Sequence, residues 1–272
     1  MFAGAFASAL ANVLVGLLVL AGLAIYFTLI RQIKARRATT PPEAGSGRTF
    51  GLAEAFLASV LILFLMTNVV AATGHSTIQL NDRDLIANFL LTLAVVFFIA
   101  AFLKIRGLDL DALAGFSKAS LKRAISTGIV LLLAAAPLIA VAEALTQTLL
   151  GGESSKQEIV DLFTSSSTIQ QRVMIIILAV VVAPISEEFI FRFFIYGVLR
   201  RYFGIVVALL FNSLLFAAAH THLPSVVPLF VLGACFTLAY EWSGSILVNM
   251  AMHALFNAAQ LFLLAFPQLF QQ

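Results

Sequence analysis

Long apolar runs separated by short polar stretches set the pattern of this chain. A helix that crosses a bilayer needs about 20 mostly apolar residues. Eight stretches read that way, at about 8–30, 51–73, 85–103, 125–147, 173–199, 204–221, 224–241 and 245–266. The sixth and seventh are short and parted only by "HTHLP". The pattern predicts an all-α fold, a polytopic transmembrane bundle of about eight spanning helices. The first stretch lacks a basic leader, exceeds an ordinary signal-peptide core and is followed by basic residues, so it predicts an anchor helix.

Composition agrees with that reading. Of 272 residues, 61% are hydrophobic and 11% charged, against about 25% charged in soluble domains. So few charges cannot cover a water-exposed surface. The basic pI reflects loop lysines and arginines rather than a nucleic-acid patch. A single cysteine, Cys235, rules out an intramolecular disulfide and a cysteine metal cluster. Two divisions are predicted: 1–49, an anchor helix followed by the flexible linker "ATTPPEAGSG" (38–47), and 50–272, the main bundle.

Basic residues mark the cytoplasmic side of a membrane protein. Arg31, Lys34, Arg36, Arg37 and Arg48 follow the first segment, and Lys104, Arg106, Lys118, Lys122 and Arg123 follow the third. Arg200 and Arg201 follow the fifth. If eight helices alternate, these twelve of the sixteen basic residues share one side. Arg83, Lys156 and Arg172 fall on the other, and Arg192 lies inside the membrane. The chain therefore reads as a multi-pass cell-membrane protein with both termini outside.

Three ionisable residues interrupt the fifth segment, in "APISEEFIFRFF" (183–194). Each costs roughly 2.5–3.5 kcal/mol at mid-bilayer, so Glu187, Glu188 and Arg192 must face protein or a hydrated cavity. Glu188 and Arg192 are four apart and can pair on one helical face. Glu187 lies about 100° round the helix and needs a partner elsewhere. Candidates are His220, at the end of the sixth segment, and His253 and Asn257 in the eighth. At about 1.5 Å per residue from the cytoplasmic helix ends, Glu187 and Asn257 lie about 20 Å deep. His220 falls at about 24 Å and His253 at about 14 Å on the same count. Polar residues of three helices thus share one slab. A lone buried histidine commonly only ties helices together; a matched set this costly points to a function. Glu54 is expected to reach the interface, Glu143 and His75 lie towards the outside, and His222 is ambiguous between surface and support.

A carboxylate beside an imidazole can activate water. A second histidine and an asparagine can donate hydrogen bonds to an oxyanion. Together they suit hydrolysis of a peptide bond within the membrane. No H-E-x-x-H zinc pair occurs, and no G-x-G-D aspartyl motif. "EWSGS" (241–245) carries Glu241 where a serine-protease G-x-S-G would need glycine.

The three motifs, "EEFIFR" for E-E-x-x-x-R, "FAAAH" for F-x-x-x-H and "HALFN" for H-x-x-x-N, resemble the CAAX protease and bacteriocin-processing (CPBP, or Abi) family. Type II CAAX prenyl endopeptidases belong to it. The resemblance places a catalytic core at about 170–265 and implies an intramembrane endopeptidase. It implies Glu187 as water-activating base with His220, His253 and Asn257 as oxyanion donors, and Glu188 and Arg192 as supports. Phe193 departs from the glycine that many members have after the motif arginine.

No cofactor is expected, with a divalent metal such as zinc the alternative. His220, His253 and one glutamate could supply the three ligands of a catalytic zinc, but Arg192 nearby opposes a dication. The substrate implied is a membrane-associated protein or peptide, with prenylated CAAX processing one case of it. Two other readings use the same cluster: a proton-coupled transporter, or a non-catalytic membrane protein of the bacteriocin-immunity type.

Overall fold

The computed structural model describes residues 2–39, 49–73, 82–150, 163, 166, 168–266 and 268. Among them every regular element is helical. Helices α1 (Phe2–Thr39), α2 (Leu52–Thr73) and α3 (Asp82–Ile105) come first. A short α4 (Leu110–Ala114) precedes α5 (Leu121–Leu150). Next, α6 (169–203) and α7 (205–219) are parted only by Gly204, and α8 (Val226–Ser243) and α9 (Ile246–Ala265) complete the bundle. His75 and most of the 38–47 linker lie outside the described residues.

Gly204 makes the decisive turn. Its φ of 78° and ψ of 175° lie in a region that only glycine occupies readily. Glu187 and His220 approach to 3.9 Å, and the Phe191 and Phe216 rings to 5.3 Å. Both pairs are symmetric about positions 203–204, so α6 and α7 form an antiparallel hairpin. Counted without that reversal, seven helices among the described residues are long and apolar enough to cross a membrane; the reversal makes eight passes. The protein is a multi-pass membrane protein.

The basic loops gather at one end, as alternating passes require. There Arg36 donates to the Trp242 carbonyl at 2.8 Å, and the Trp242 indole donates to Gln32 at 2.6 Å. Arg200 pairs with Glu241 at 2.7 Å, and Glu241 also accepts from the Tyr196 hydroxyl at 2.6 Å. The left-handed Gly115 (φ 69°) presses on the Gly244 carbonyl, where a Cβ would collide. Beside it, Ser117 donates twice to Asp111 and holds that exposed carboxyl below its usual range.

At about 1.5 Å per residue, α1 is about 57 Å long, so its end reaches past the hydrocarbon to Trp242. It packs along α5, with Tyr26 donating to the Leu131 carbonyl at 3.0 Å. Gly22 allows that approach, because a Cβ there would meet the Ala134 carbonyl.

Glu54 does not reach out to the interface. It is 1% exposed, accepting from the Gly51 amide at 2.7 Å and pairing with Arg106 at 3.1 Å. An N-terminal amide and a guanidinium together repay its burial better than solvent at that depth. Phe193, the departure from the family pattern, packs between Phe189 at 4.8 Å and Phe50 at 5.9 Å. Its bulk sits in the core rather than between the histidines.

Candidate active site

Helix α6 is not uniform. It is α-helical over Ile169–Ile177, widens to π geometry over Leu178–Val182, tightens over Ala183–Glu187 and widens again over Glu188–Ile195. Wide turns of this kind are rare and gather at functional sites. Glu187 and Glu188 stand at the junction before the second wide stretch, and their carboxylates go to different partners.

Glu187 faces two imidazoles. Its Oε2 is 3.9 Å from Nε2 of His220 and 3.9 Å from Nε2 of His253. The side chains of Glu187 and His220 keep 26% and 21% exposure, while His253 keeps 4%. The cluster is thus open on the Glu187–His220 side and closed behind His253. The tautomers are set from behind. His220 donates Nδ1–H to the Phe216 carbonyl at 2.8 Å, and His253 donates Nδ1–H to Glu188 at 2.9 Å. Both Nε2 atoms are thereby turned to Glu187.

Glu188 anchors the rear of the site. It is fully buried and takes Arg192 at 3.0 Å on Oε1, as the spacing of four predicts. The same oxygen accepts from His253, and Oε2 accepts from Asn249 at 3.4 Å. Asn249 also donates to the Phe236 carbonyl at 2.7 Å. Glu188 is therefore not satisfied within its own helix alone, as the pair Glu188–Arg192 suggested. Asn249 went unnoticed in the sequence, although it lies four residues before His253 on the same helical face.

Arg192 is sandwiched as well as paired. Its guanidinium carbon sits 4.1 Å from the Phe216 ring centre and 5.0 Å from that of Phe236, cation–π contacts that strengthen when water is excluded. Its other nitrogen reaches the Gly233 carbonyl at 3.4 Å. Phe216 also meets the His220 ring edge-on at 4.8 Å. The aromatic residue of F-x-x-x-H thus covers the arginine of E-E-x-x-x-R.

Asn257 is one helical turn beyond His253, and its amide donates to the Ala179 carbonyl of α6 at 2.8 Å. His222 lies apart from the cluster and shares a hydrogen bond with Ser225 at 2.8 Å. Glu187, Glu188, Arg192, His220 and His253 are drawn into one cluster, and Asn257 ties the helix of His253 to that of Glu187.

Ligands about 2.1 Å from a tetrahedral zinc stand about 3.4 Å apart. The 3.9 Å separations at Glu187 are wider than that and too long for direct hydrogen bonds, leaving the buried Oε2 without a hydrogen-bond partner. Among the described residues no three His, Cys, Asp or Glu side chains are grouped to hold a metal ion.

Residues 169–259, which carry every residue of this cluster, match a family model described as type II CAAX prenyl endopeptidase Rce1-like. The membrane-embedded CAAX protease MroQ of Staphylococcus aureus (strain USA300) is 32% identical over 83 residues. That match covers 28% of this chain and 34% of the relative, so the chain spans about a third of that relative's length. No solved structure matches the chain. Over its α6–α9 segment the chain is similar to the CAAX protease family.

Proposed function

We propose that the protein is an intramembrane endopeptidase in which Glu187 activates water to cut a peptide bond of a membrane-associated protein or peptide. The observation that carries this reading is the convergence of one carboxylate oxygen and two imidazole Nε2 atoms at 3.9 Å each. A water between them donates one proton towards Glu187 and is oriented by His220. Its oxygen attacks the carbonyl carbon, and Glu187 takes the proton. Glu187 then passes that proton to the leaving amine as the C–N bond breaks.

The oxyanion falls to His253 and Asn257. Glu188, accepting from Nδ1, turns the Nε2 edge of His253 forward to that position. The Asn257 amide has two N–H bonds, and one remains after Ala179 is served. Donors fixed before the reaction stabilise developing charge without reorganising. No metal takes part in this scheme.

The family resemblance and the relative's name suggest a CAAX C-terminus as substrate, with a prenyl chain held in the bilayer. The test is cleavage of two fluorogenic CAAX peptides, one farnesylated and one not, by the purified protein in detergent. Bond cleavage there, where no ion gradient exists, separates hydrolysis from proton-coupled transport. Turnover that survives chelators supports the metal-free scheme; turnover lost to chelators and restored by zinc contradicts it. If the farnesylated peptide alone is cleaved, prenyl recognition is supported; equal cleavage of both removes it.

A further inference from the structure

In the first wide turn of α6, the Ala183 amide reaches back five residues to the Leu178 carbonyl. The next amide in that register, at position 184, would serve the Ala179 carbonyl. Position 184 is proline, which has no N–H to give. The Ala179 carbonyl is left without its backbone donor inside a membrane helix, where an unpaired carbonyl is costly. Asn257 of α9 supplies the missing donor, its Nδ2 lying 2.8 Å from Ala179 O.

We infer that Asn257, besides the oxyanion donation proposed above, is a positioning residue, whose amide replaces the backbone donor lost at Pro184 and so sets where Glu187 stands. The wide turn ends at Val182, and Glu187 closes the short α-helical stretch that follows it. A shift of register in the turn would swing that stretch and move the carboxylate. Asn257 also lies one turn from His253, so its hydrogen bond joins those of His253 and Asn249 to Glu188 in holding α6 against the helix that carries the facing imidazole. α9 packs directly on the 178–182 turn, as this requires. The inference rests on the proposed hydrolysis only where turnover is concerned.

The test compares Asn257→Ala, Pro184→Ala and the double variant in full-length protein. The first readout is the unfolding midpoint in detergent, which does not depend on any activity. Asn257→Ala should lower it in the wild-type background and lower it far less in the Pro184→Ala background, because the backbone amide restored at position 184 can then serve Ala179. Equal lowering in both backgrounds overturns the inference.

The second readout is kcat and KM on the farnesylated fluorogenic peptide, or on its plain counterpart if that is the one cleaved. Asn257→Ala should lower kcat about a hundredfold with KM nearly unchanged, since small misplacement of a reacting group costs that much. The double variant should regain about tenfold or more in kcat over Asn257→Ala. If the midpoints couple but kcat shows no recovery, Asn257 does not position Glu187, and the positioning role is overturned. Should neither peptide be cleaved by the wild type, the proposed substrate fails while the midpoint comparison still decides the structural pairing.

Discussion

His253 donates its Nδ1–H to Glu188 across 2.9 Å, while its Nε2 faces Glu187 at 3.9 Å. One imidazole thus joins the two adjacent glutamates, one behind it and one in front. A carboxylate at 188 allows only the tautomer with Nδ1 protonated. Glu188→Gln puts an amide there that can itself donate to Nδ1 and so admit the other tautomer. The expected result is a fall in kcat of about 10²–10⁴-fold with KM little changed, read by steady-state cleavage of a fluorogenic peptide. Wild-type turnover in Glu188→Gln would remove the orienting role.

Glu188 and Arg192 are both fully buried and 3.0 Å apart. Taking away one partner strands the other charge and should cost about 3–5 kcal/mol. Removing both should cost less than the sum of the singles. A double-mutant cycle on unfolding free energy checks this, and simple additivity would count against the pair.

Gly233 brings α8 against the buried arginine, its carbonyl 3.4 Å from Arg192 Nη2. A Cβ there would lie 3.2 Å from Phe216 Cδ1, 3.3 Å from Ser213 Cα and 3.4 Å from Arg192 Nη2. Gly233→Ala should therefore destabilise by about 1–3 kcal/mol, as overpacking does. An unchanged unfolding midpoint would mean that the Phe216–Arg192 stack yields freely.

Topology can be read by labelling intact cells once Cys235 is replaced. Cysteines at exposed Thr39 and Lys122 should be protected from an impermeant reagent. A cysteine at Thr168, also exposed and at the opposite end of α6, should react. The reverse pattern would invert the assignment of the basic end to the cytoplasm.

Much of this architecture is legible in the sequence because spanning segments are written in apolar length. The Glu188–Arg192 pair is legible because both residues lie on one helix at a known spacing. The convergence of Glu187 with His220 and His253 follows from depth, since charges buried in lipid must meet something. What the sequence hides is contact between helices. Asn249 carries the same spacing to His253 as Asn257 does, yet nothing along the chain says that it reaches Glu188. Glu54 reads as an interfacial acid because Arg106, 52 positions away, is brought to it only by packing. The wide turns of α6 escape hydrophobic patterning altogether. Their one visible sign is Pro184, and its meaning depends on which carbonyl the register leaves free.

The central claim is that Glu187 is the base, and Glu187→Gln tests it most directly. The substitution keeps the size of the side chain and leaves the Glu188 anchor intact, so the unfolding midpoint should stay near wild type. Turnover of the fluorogenic peptide should fall by about 10²–10⁴-fold, the contribution of a positioned general base. A folded Glu187→Gln protein that cleaves the peptide at the wild-type rate would contradict the account.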